Sequence, residues 1–251
     1  MSQSDIAWIC GLSADDVDLH AAGLNHFQWV LAAFNNKTGE DVYPLLKEKE
    51  KDFDSSFLPL TRQIFNTYGY WVTCSDDHLG EYIAWGYEAG EAGFDFDGAE
   101  LRRHRMQAEI GEITSGEMDT IAWLTPSGEK AMDVIAAITT GKRVYLPSAI
   151  VLNDGAITNL PNDIAVEIPV YLDGAGLHKV HIGDLPAGPR SLLSGQIGSQ
   201  IMSVEAAVHG SREMAMQALL CDPVINSSVA ADKILDELWE INKDYIRRCW
   251  K

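Results

Sequence analysis

The apolar positions of this chain fall into two kinds of run, one suited to strands and one to helices. Residues 18–25 and 27–34 are short, densely apolar and aromatic, which predicts two extended segments. Asn35-Asn36-Lys37-Thr38-Gly39 supplies the turn that follows them. Before them, residues 5–11 read as the last turns of a helix, with Gly11 as the residue that leaves it. Charged residues 40–51 and the stretch 60–67 predict two further helices. The segment 68–90 breaks the pattern, packing Tyr68, Tyr70, Trp71, Tyr82, Trp85 and Tyr87 around Ser75, Asp76, Asp77, His78 and Glu81.

Residues 90–98 are Gly-rich and acidic and read as a loop, and polar residues 100–113 as a helix. Up to Pro126 the pattern is undefined. Ser127 is placed to cap a helix running to Thr140, with Ala131, Val134, Ile135 and Ile138 on one stripe and Gly141 closing it. Three strands are predicted over 143–152, 164–172 and 177–182, with hairpin-type turns at Asn153-Asp154-Gly155 and Asp173-Gly174. The last third is helical over 191–208, 212–221 and 230–247, the last with Ile234, Leu235, Leu238, Ile241 and Tyr245 at helical spacing. The expected fold is α+β, a small, mostly antiparallel sheet with packed helices, formed by residues 1–251 as a single domain.

Composition narrows what such a fold can do. With 37 acidic against 19 basic residues the formal charge is −18, so no basic footprint exists to displace counterions from nucleic acid or to meet an anionic membrane. Cys10, Cys74, Cys221 and Cys249 are scattered without paired spacing, which speaks against a disulfide framework or a CxxC metal knuckle. The start has no basic-then-apolar leader pattern and no apolar run reaches membrane-spanning length, so a reduced, cytoplasmic protein is expected.

No Gly-rich phosphate loop is found. Neither 86–93 nor Gly195-Gln196-Ile197-Gly198 sits between a strand and a helix start, so no self-contained nucleotide site is expected. His178 and His181 lie three apart on a predicted strand, pointing to opposite faces, and His104 belongs to a basic helix face. His26 ends a hydrophobic strand, where two readings stay open: a hydrogen-bonded core imidazole, or a ligand to a borderline metal such as Mn or Zn. The run Ser75-Asp76-Asp77-His78-Leu79-Gly80-Glu81-Tyr82 combines carboxylates, an imidazole and a phenol. Such groups hold sugar hydroxyls or move protons. The same run also fits a polar loop on an aromatic mini-core.

Several motifs, in order, resemble glycoside hydrolase family 4. Gly23-Leu24-Asn25-His26-Phe27-Gln28-Trp29 is similar to that family's Gly-(Ile/Leu)-Asn-His-x-x-(Trp/Phe), and Tyr68-Gly69-Tyr70-Trp71-Val72-Thr73 with His78, Glu81 and Tyr82 to its Gly-Tyr-x-Val-Thr … His-x-x-Glu-Tyr. Asn153-Asp154-Gly155-Ala156-Ile157-Thr158-Asn159-Leu160-Pro161, Val166-Glu167-Ile168-Pro169, Ile182-Gly183-Asp184-Leu185-Pro186, Glu205-Ala206-Ala207 and Cys221-Asp222-Pro223 continue the match. The wording is nearest the α-galactosidases and α-galacturonidases, with a lean toward the latter.

The resemblance implies the C-terminal domain architecture shared by family 4 glycosidases and lactate dehydrogenase. It implies redox-assisted cleavage of an α-galactoside or α-galacturonide: NAD oxidises the sugar C3 hydroxyl, a base removes the C2 proton, and the glycosidic oxygen leaves by elimination. A divalent metal, usually Mn2+, polarises the sugar oxygens. It implies His26 as a metal ligand, Asn25 and Tyr82 as substrate-binding, and Asp76, His78 and Glu81 as catalytic candidates. The family's Gly-rich NAD-binding half and its Cys-His-Ser metal motif have no counterpart here, and Cys10 lies too close to His26 to replace the missing cysteine. Residues 1–11 are then the remnant of a helix that follows the missing half, cofactor-binding residues are unknown, and NAD is expected mainly from a companion polypeptide in a homo- or hetero-oligomer. The competing readings are a non-catalytic truncated subunit or structural relic of the same fold, and a distant dehydrogenase-type C-terminal domain.

Overall fold

The computed structural model describes residues 2–86, 96–120 and 130–246. The 90–95 part of the expected acidic loop, Tyr87, residues 121–126 of the undefined stretch, the Ser127 cap and the end of the last predicted helix with Cys249 lie outside the described residues, while residues 96–98 of that loop are helical. In chain order the described elements are α1 (Ser2–Cys10), β1 (Val17–Leu24), β2 (Phe27–Asn35), α2 (Tyr43–Lys49), α3 (Pro59–Tyr68), β3 (Trp71–Val72) and α4 (Asp76–Gly80). Then come α5 (Phe96–Ser115), α6 (Ala131–Thr140), β4 (Val144–Leu152), β5 (Ala165–Asp173), β6 (Gly176–Lys179), α7 (Ala187–His209), α8 (Arg212–Cys221) and α9 (Ser228–Asn242). The expected helix–sheet mixture is borne out, and no described helix is long and apolar enough to cross a membrane.

The chain divides into two compact units. One comprises Met1–Gly93, Tyr145–Tyr171 and His178–Lys251; the other comprises Phe94–Val144 and Leu172–Leu177. In the sheet the strand order is β3-β2-β1-β5-β4, with β6 alongside β5. β1 runs antiparallel to β2 and β5, and β2 antiparallel to β3. Side chains alternate across a strand, and here both faces are covered: Trp29 of β2 joins one buried cluster with Leu24, Phe27 and Ile64, while Val30 joins a second with Ile6, Val17 and Leu46. α3 serves both clusters, through Ile64 and Phe65. Its approach is fixed by Arg62, whose Nε donates to the buried Glu50 carboxylate at 2.9 Å and whose Nη2 donates to the Glu50 carbonyl at 2.9 Å.

Two helices carry apolar stripes that stay largely exposed. The stripe on α6 is not a buried face: Ala137 is the buried position, while Ile135 and Ile138 stay exposed. In α9 the buried positions are Ala231 and Leu235, and Ile234, Leu238, Ile241 and Tyr245 are exposed. Periodicity reports which residues share a helix face, but not whether anything covers that face.

The Asn153-Asp154-Gly155 turn also differs from a tight hairpin, since residues 153–164 form a longer loop between β4 and β5. Asn153 is fully buried at its centre. Its Nδ2 donates to the carbonyls of Ile157 (3.0 Å), Leu160 (3.3 Å) and Pro161 (2.8 Å), and its Oδ1 accepts from Ile157 N at 2.8 Å. One side chain thus does the hydrogen bonding that a regular turn would distribute along the backbone. Asn153→Ala strands these groups in a dry interior, and should lower unfolding free energy by about 2–4 kcal/mol in a urea titration at constant m-value.

Candidate functional site

The site grows out of the two-residue connection between β1 and β2. Leu24 pairs with Phe27, so Asn25 and His26 alone form the β1–β2 turn. His26 adopts φ 57°, the left-handed region that costs an L-residue about 1–2 kcal/mol. Gly23 permits the hairpin to close: a Cβ there would lie 2.4 Å from the Phe27 carbonyl oxygen and 2.8 Å from Gln28 Cα. Leu24 and Phe27 are buried beneath the turn, which leaves the two turn residues projecting at the sheet's end.

The facing wall comes from α3, β3 and α4. After β3, Thr73 N donates to the Gln28 carbonyl at 3.1 Å, tying the 73–75 segment to β2. α4 carries His78 and Glu81 one turn apart, and His78 Nδ1 lies 3.5 Å from Glu81 Oε2. The His78 ring centroid is 4.9 Å from that of His26. His78 Nδ1 is buried and makes no hydrogen bond, so this ring nitrogen is poised beside a carboxylate without being committed to it. Ser75 donates to the Asp77 carboxylate, and this bond holds the Asp77 carboxyl below the ordinary carboxylate range. The Tyr82 ring stacks on Phe27 at 5.7 Å. Burial first, and then Cys74, Glu81 and Glu167, push its phenol above the ordinary tyrosine value.

Asp76, one of the expected catalytic candidates, has its carboxylate engaged within the fold. Its carboxylate is buried and accepts three hydrogen bonds from the first turn of α3: Leu60 N at 2.7 Å, Thr61 N at 2.9 Å and Thr61 Oγ1 at 2.6 Å. Asp76 therefore acts as a helix cap delivered from another element, where a carboxylate also meets the positive end of the helix dipole. The hydrogen bonds keep α4, and with it His78 and Glu81, at a set position against α3.

Two residues that sequence reading gave no role complete the surroundings. Glu167 of β5 sits beside Gly23; its Oε2 accepts from Asn25 Nδ2 at 3.3 Å and its Oε1 from the Ser148 hydroxyl. Its backbone carbonyl accepts from Gln28 Nε2 at 3.0 Å. Gln196 of α7, buried, donates to the Tyr82 carbonyl at 3.4 Å. The Gly195-Gln196 pair thus has a packing explanation, since a Cβ on Gly195 would lie 2.6 Å from Pro223 Cγ.

Among the described residues no three His, Cys, Asp or Glu side chains converge as a metal cage. The turn and α4 bring together two imidazoles, His26 and His78, and these do not complete a metal site by themselves.

Comparison with known proteins agrees with the motif order. Residues 21–225 match the Family 4 glycosyl hydrolase C-terminal domain. The chain is 29% identical over 254 residues to an α-galactosidase of Bacillus subtilis, covering 96% of this chain and 58% of that protein. It is 27% identical to an α-glucosidase of Erwinia rhapontici, covering 89% and 56%. The chain therefore spans a little over half the length of these curated relatives. A 6-phospho-α-glucosidase from gut microorganisms, solved with NAD and Mn2+, superposes with TM-score 0.74 at 25% identity over 99% of this chain and 59% of that one. A 6-phospho-β-glucosidase of Thermotoga maritima, solved with manganese, NAD+ and glucose-6-phosphate, superposes with TM-score 0.73 at 23% identity over 98% and 58%, a likeness of fold.

The geometry yields two expectations. Glycine adopts the left-handed region without the Cβ penalty that His26 bears, so His26→Gly should unfold at equal or higher urea, gaining up to about 1 kcal/mol. A loss of stability would show that the turn is held by the imidazole. Burial pushes the Cys74 thiol from 9.0 up to about 12, so the folded state resists its ionisation. The unfolded chain releases that proton first, so the Cys74 contribution is intact below about pH 9 and is lost as pH rises toward 12. Cys74→Ala should flatten the alkaline limb of the stability–pH curve. At pH 8, mass mapping after iodoacetamide should find exposed Cys221 labelled well before Cys74.

Proposed function

We propose a function from one premise: the chain belongs to the family 4 glycosyl hydrolase C-terminal domain family. It serves as the sugar-binding and proton-transfer part of a redox-assisted α-glycosidase, with the NAD-binding part supplied from outside these 251 residues. The observation that carries this reading is the meeting of the Asn25–His26 turn with α4, where the His26 and His78 rings stand 4.9 Å apart. NAD and Mn2+, when bound, would supply hydride transfer at C3 and Lewis-acid polarisation of the sugar oxygens.

The chain's own residues would divide the remaining work. Glu167 engages the Asn25 amide nitrogen, which leaves the amide oxygen to accept from a sugar hydroxyl. Tyr82 keeps its proton at neutral pH and donates from its hydroxyl to the bound sugar. His78, with Glu81 at 3.5 Å from Nδ1, has the make-up of a base oriented by a carboxylate and would accept a proton through its other ring nitrogen. His26 offers one imidazole to a metal whose ligand set the described residues do not complete. Asp76 holds α4 in place and takes no part in proton transfer. The substrate is an α-linked hexoside, with galactoside and galacturonide as the first candidates.

The test mixes the purified chain with a polypeptide carrying the NAD-binding half of a family 4 glycosidase, together with NAD, Mn2+ and a reductant. Cleavage of aryl α-galactoside, α-galacturonide, α-glucoside and its 6-phosphate is then followed. The mixture should cleave an α-glycoside that neither chain cleaves alone, and His26→Ala should lower kcat/KM about 100-fold or more. Unchanged turnover in His26→Ala would remove the metal role. Asp76→Asn should lower the denaturation midpoint while leaving the pH profile of turnover in place, whereas His78→Gln should abolish one limb of that profile.

A further inference from the structure

A second concave surface lies on the same unit, away from the hairpin turn. It is a groove of about 640 Å3, within the size range of small-molecule sites. Its lining includes Asp18 and His20 of β1, Tyr145 of β4, Tyr171 of β5 and His181 beyond β6. The β1–β2 register shifts between His20 and Ala21, and such a bulge re-aims side chains and bends the strand. Asp18 is seven residues from Asn25, which at about 3.3 Å per residue puts the groove roughly 20 Å along the strand from the turn.

The groups in this groove have the mixed character that a sugar requires. Tyr145 and Tyr171 stand with ring centroids 5.1 Å apart and are 40% and 46% exposed, an aromatic surface facing solvent. Among the described residues neither phenol hydroxyl is engaged in a hydrogen bond. Asp18 and His20 form a half-exposed pair at 3.3 Å, leaving acceptor and donor capacity free. Burial, then the Asp18 charge, raises the Tyr145 phenol, so carboxylate and ring share one local field. A purely apolar occupant would bury the Asp18–His20 pair with its remaining hydrogen-bonding capacity unfilled, which is costly. A pyranose offers C–H faces to the tyrosines and hydroxyls to Asp18, His20 and His181. The Asp18 carboxylate disfavours a phosphorylated or uronic sugar.

We propose that this groove, built on Tyr145, Tyr171 and the Asp18–His20 pair, is a second carbohydrate site that holds an uncharged pyranose unit of an oligosaccharide. It is independent of the chemistry proposed at the hairpin turn and requires no cofactor.

The experiment uses the whole chain, with saturation-transfer NMR and calorimetry against maltotriose, melibiose and glucose 6-phosphate. Binding of a neutral oligosaccharide near about 1 mM is expected, with glucose 6-phosphate weaker. Tyr171→Ala should weaken it about tenfold, Tyr171→Phe should retain most of it, and His26→Ala should leave it unchanged. If Tyr171→Ala loses its native circular dichroism, His20→Ala and Asp18→Asn, both at half-exposed positions, take its place and should weaken binding. Three results overturn the proposal: no binding of either neutral sugar up to its solubility, binding lost in His26→Ala but kept in the groove variants, or a dimer in sedimentation that the groove variants dissociate.

Discussion

The arrangement depends on the close approach of β1 and β2 at Gly23. With no Cβ in the way, the Phe27 carbonyl and Gln28 Cα come within what would be 2.4 and 2.8 Å of one, and the hairpin closes in two residues. Closing so tightly drives His26 to φ 57°. That is a conformation glycine would occupy at lower cost, yet an imidazole stands there. Strain of this kind persists only where the surroundings over-determine it. Here they do: Leu24 and Phe27 are buried below, Glu167 holds Asn25 from the side, and the His78 ring stands opposite. The strained turn and its supports form one unit, and a change in any support would move the imidazole.

A second support is set at a distance by Asp76. A five-residue helix such as α4 has little stability of its own, because helix formation begins with an unfavourable first turn. Its position comes from the Asp76 carboxylate clasping the first turn of α3, and α3 contributes to both buried clusters through Ile64 and Phe65. Two of these hydrogen bonds satisfy orphan backbone donors of α3, and all three anchor α4. His78 and Glu81 therefore inherit the rigidity of the core although they lie on a short, partly exposed element.

Much of this could be read from the chain in advance. The strands 18–25 and 27–34 and the helices after them follow from local pattern, and Asn25, His26, His78 and Glu81 lie in short contiguous motifs. What escaped the reading is non-local. Glu167 is 142 residues from Asn25, and no local spacing links them. Asp76 sits among polar residues in a run that looks chemical, and only the return of α3 alongside reveals a cap. The exposed residues of α6 and α9 fail for a third reason: helical period is a property of one element, whereas burial belongs to two. Gln196 lies between glycines whose spacing suggests a loop, while its partner is a backbone carbonyl 114 residues away.

The two ends of β1 now present contrasting surfaces on one rigid strand. At the turn end a strained backbone holds few groups at set positions, which suits chemistry that tolerates little displacement. At the other end a bulge and a pair of tyrosines form an open, shallow groove that suits weak, repeated contact with an amphipathic ligand. The His26 imidazole of the turn and the His78 imidazole of α4 fall short of a metal cage among the described residues, so a metal there would need further ligands. The groove has no such dependence. Under the proposed function the chain alone would hold a sugar at the groove end and acquire its chemistry at the turn end only on assembly, so binding and turnover would be separable in one polypeptide.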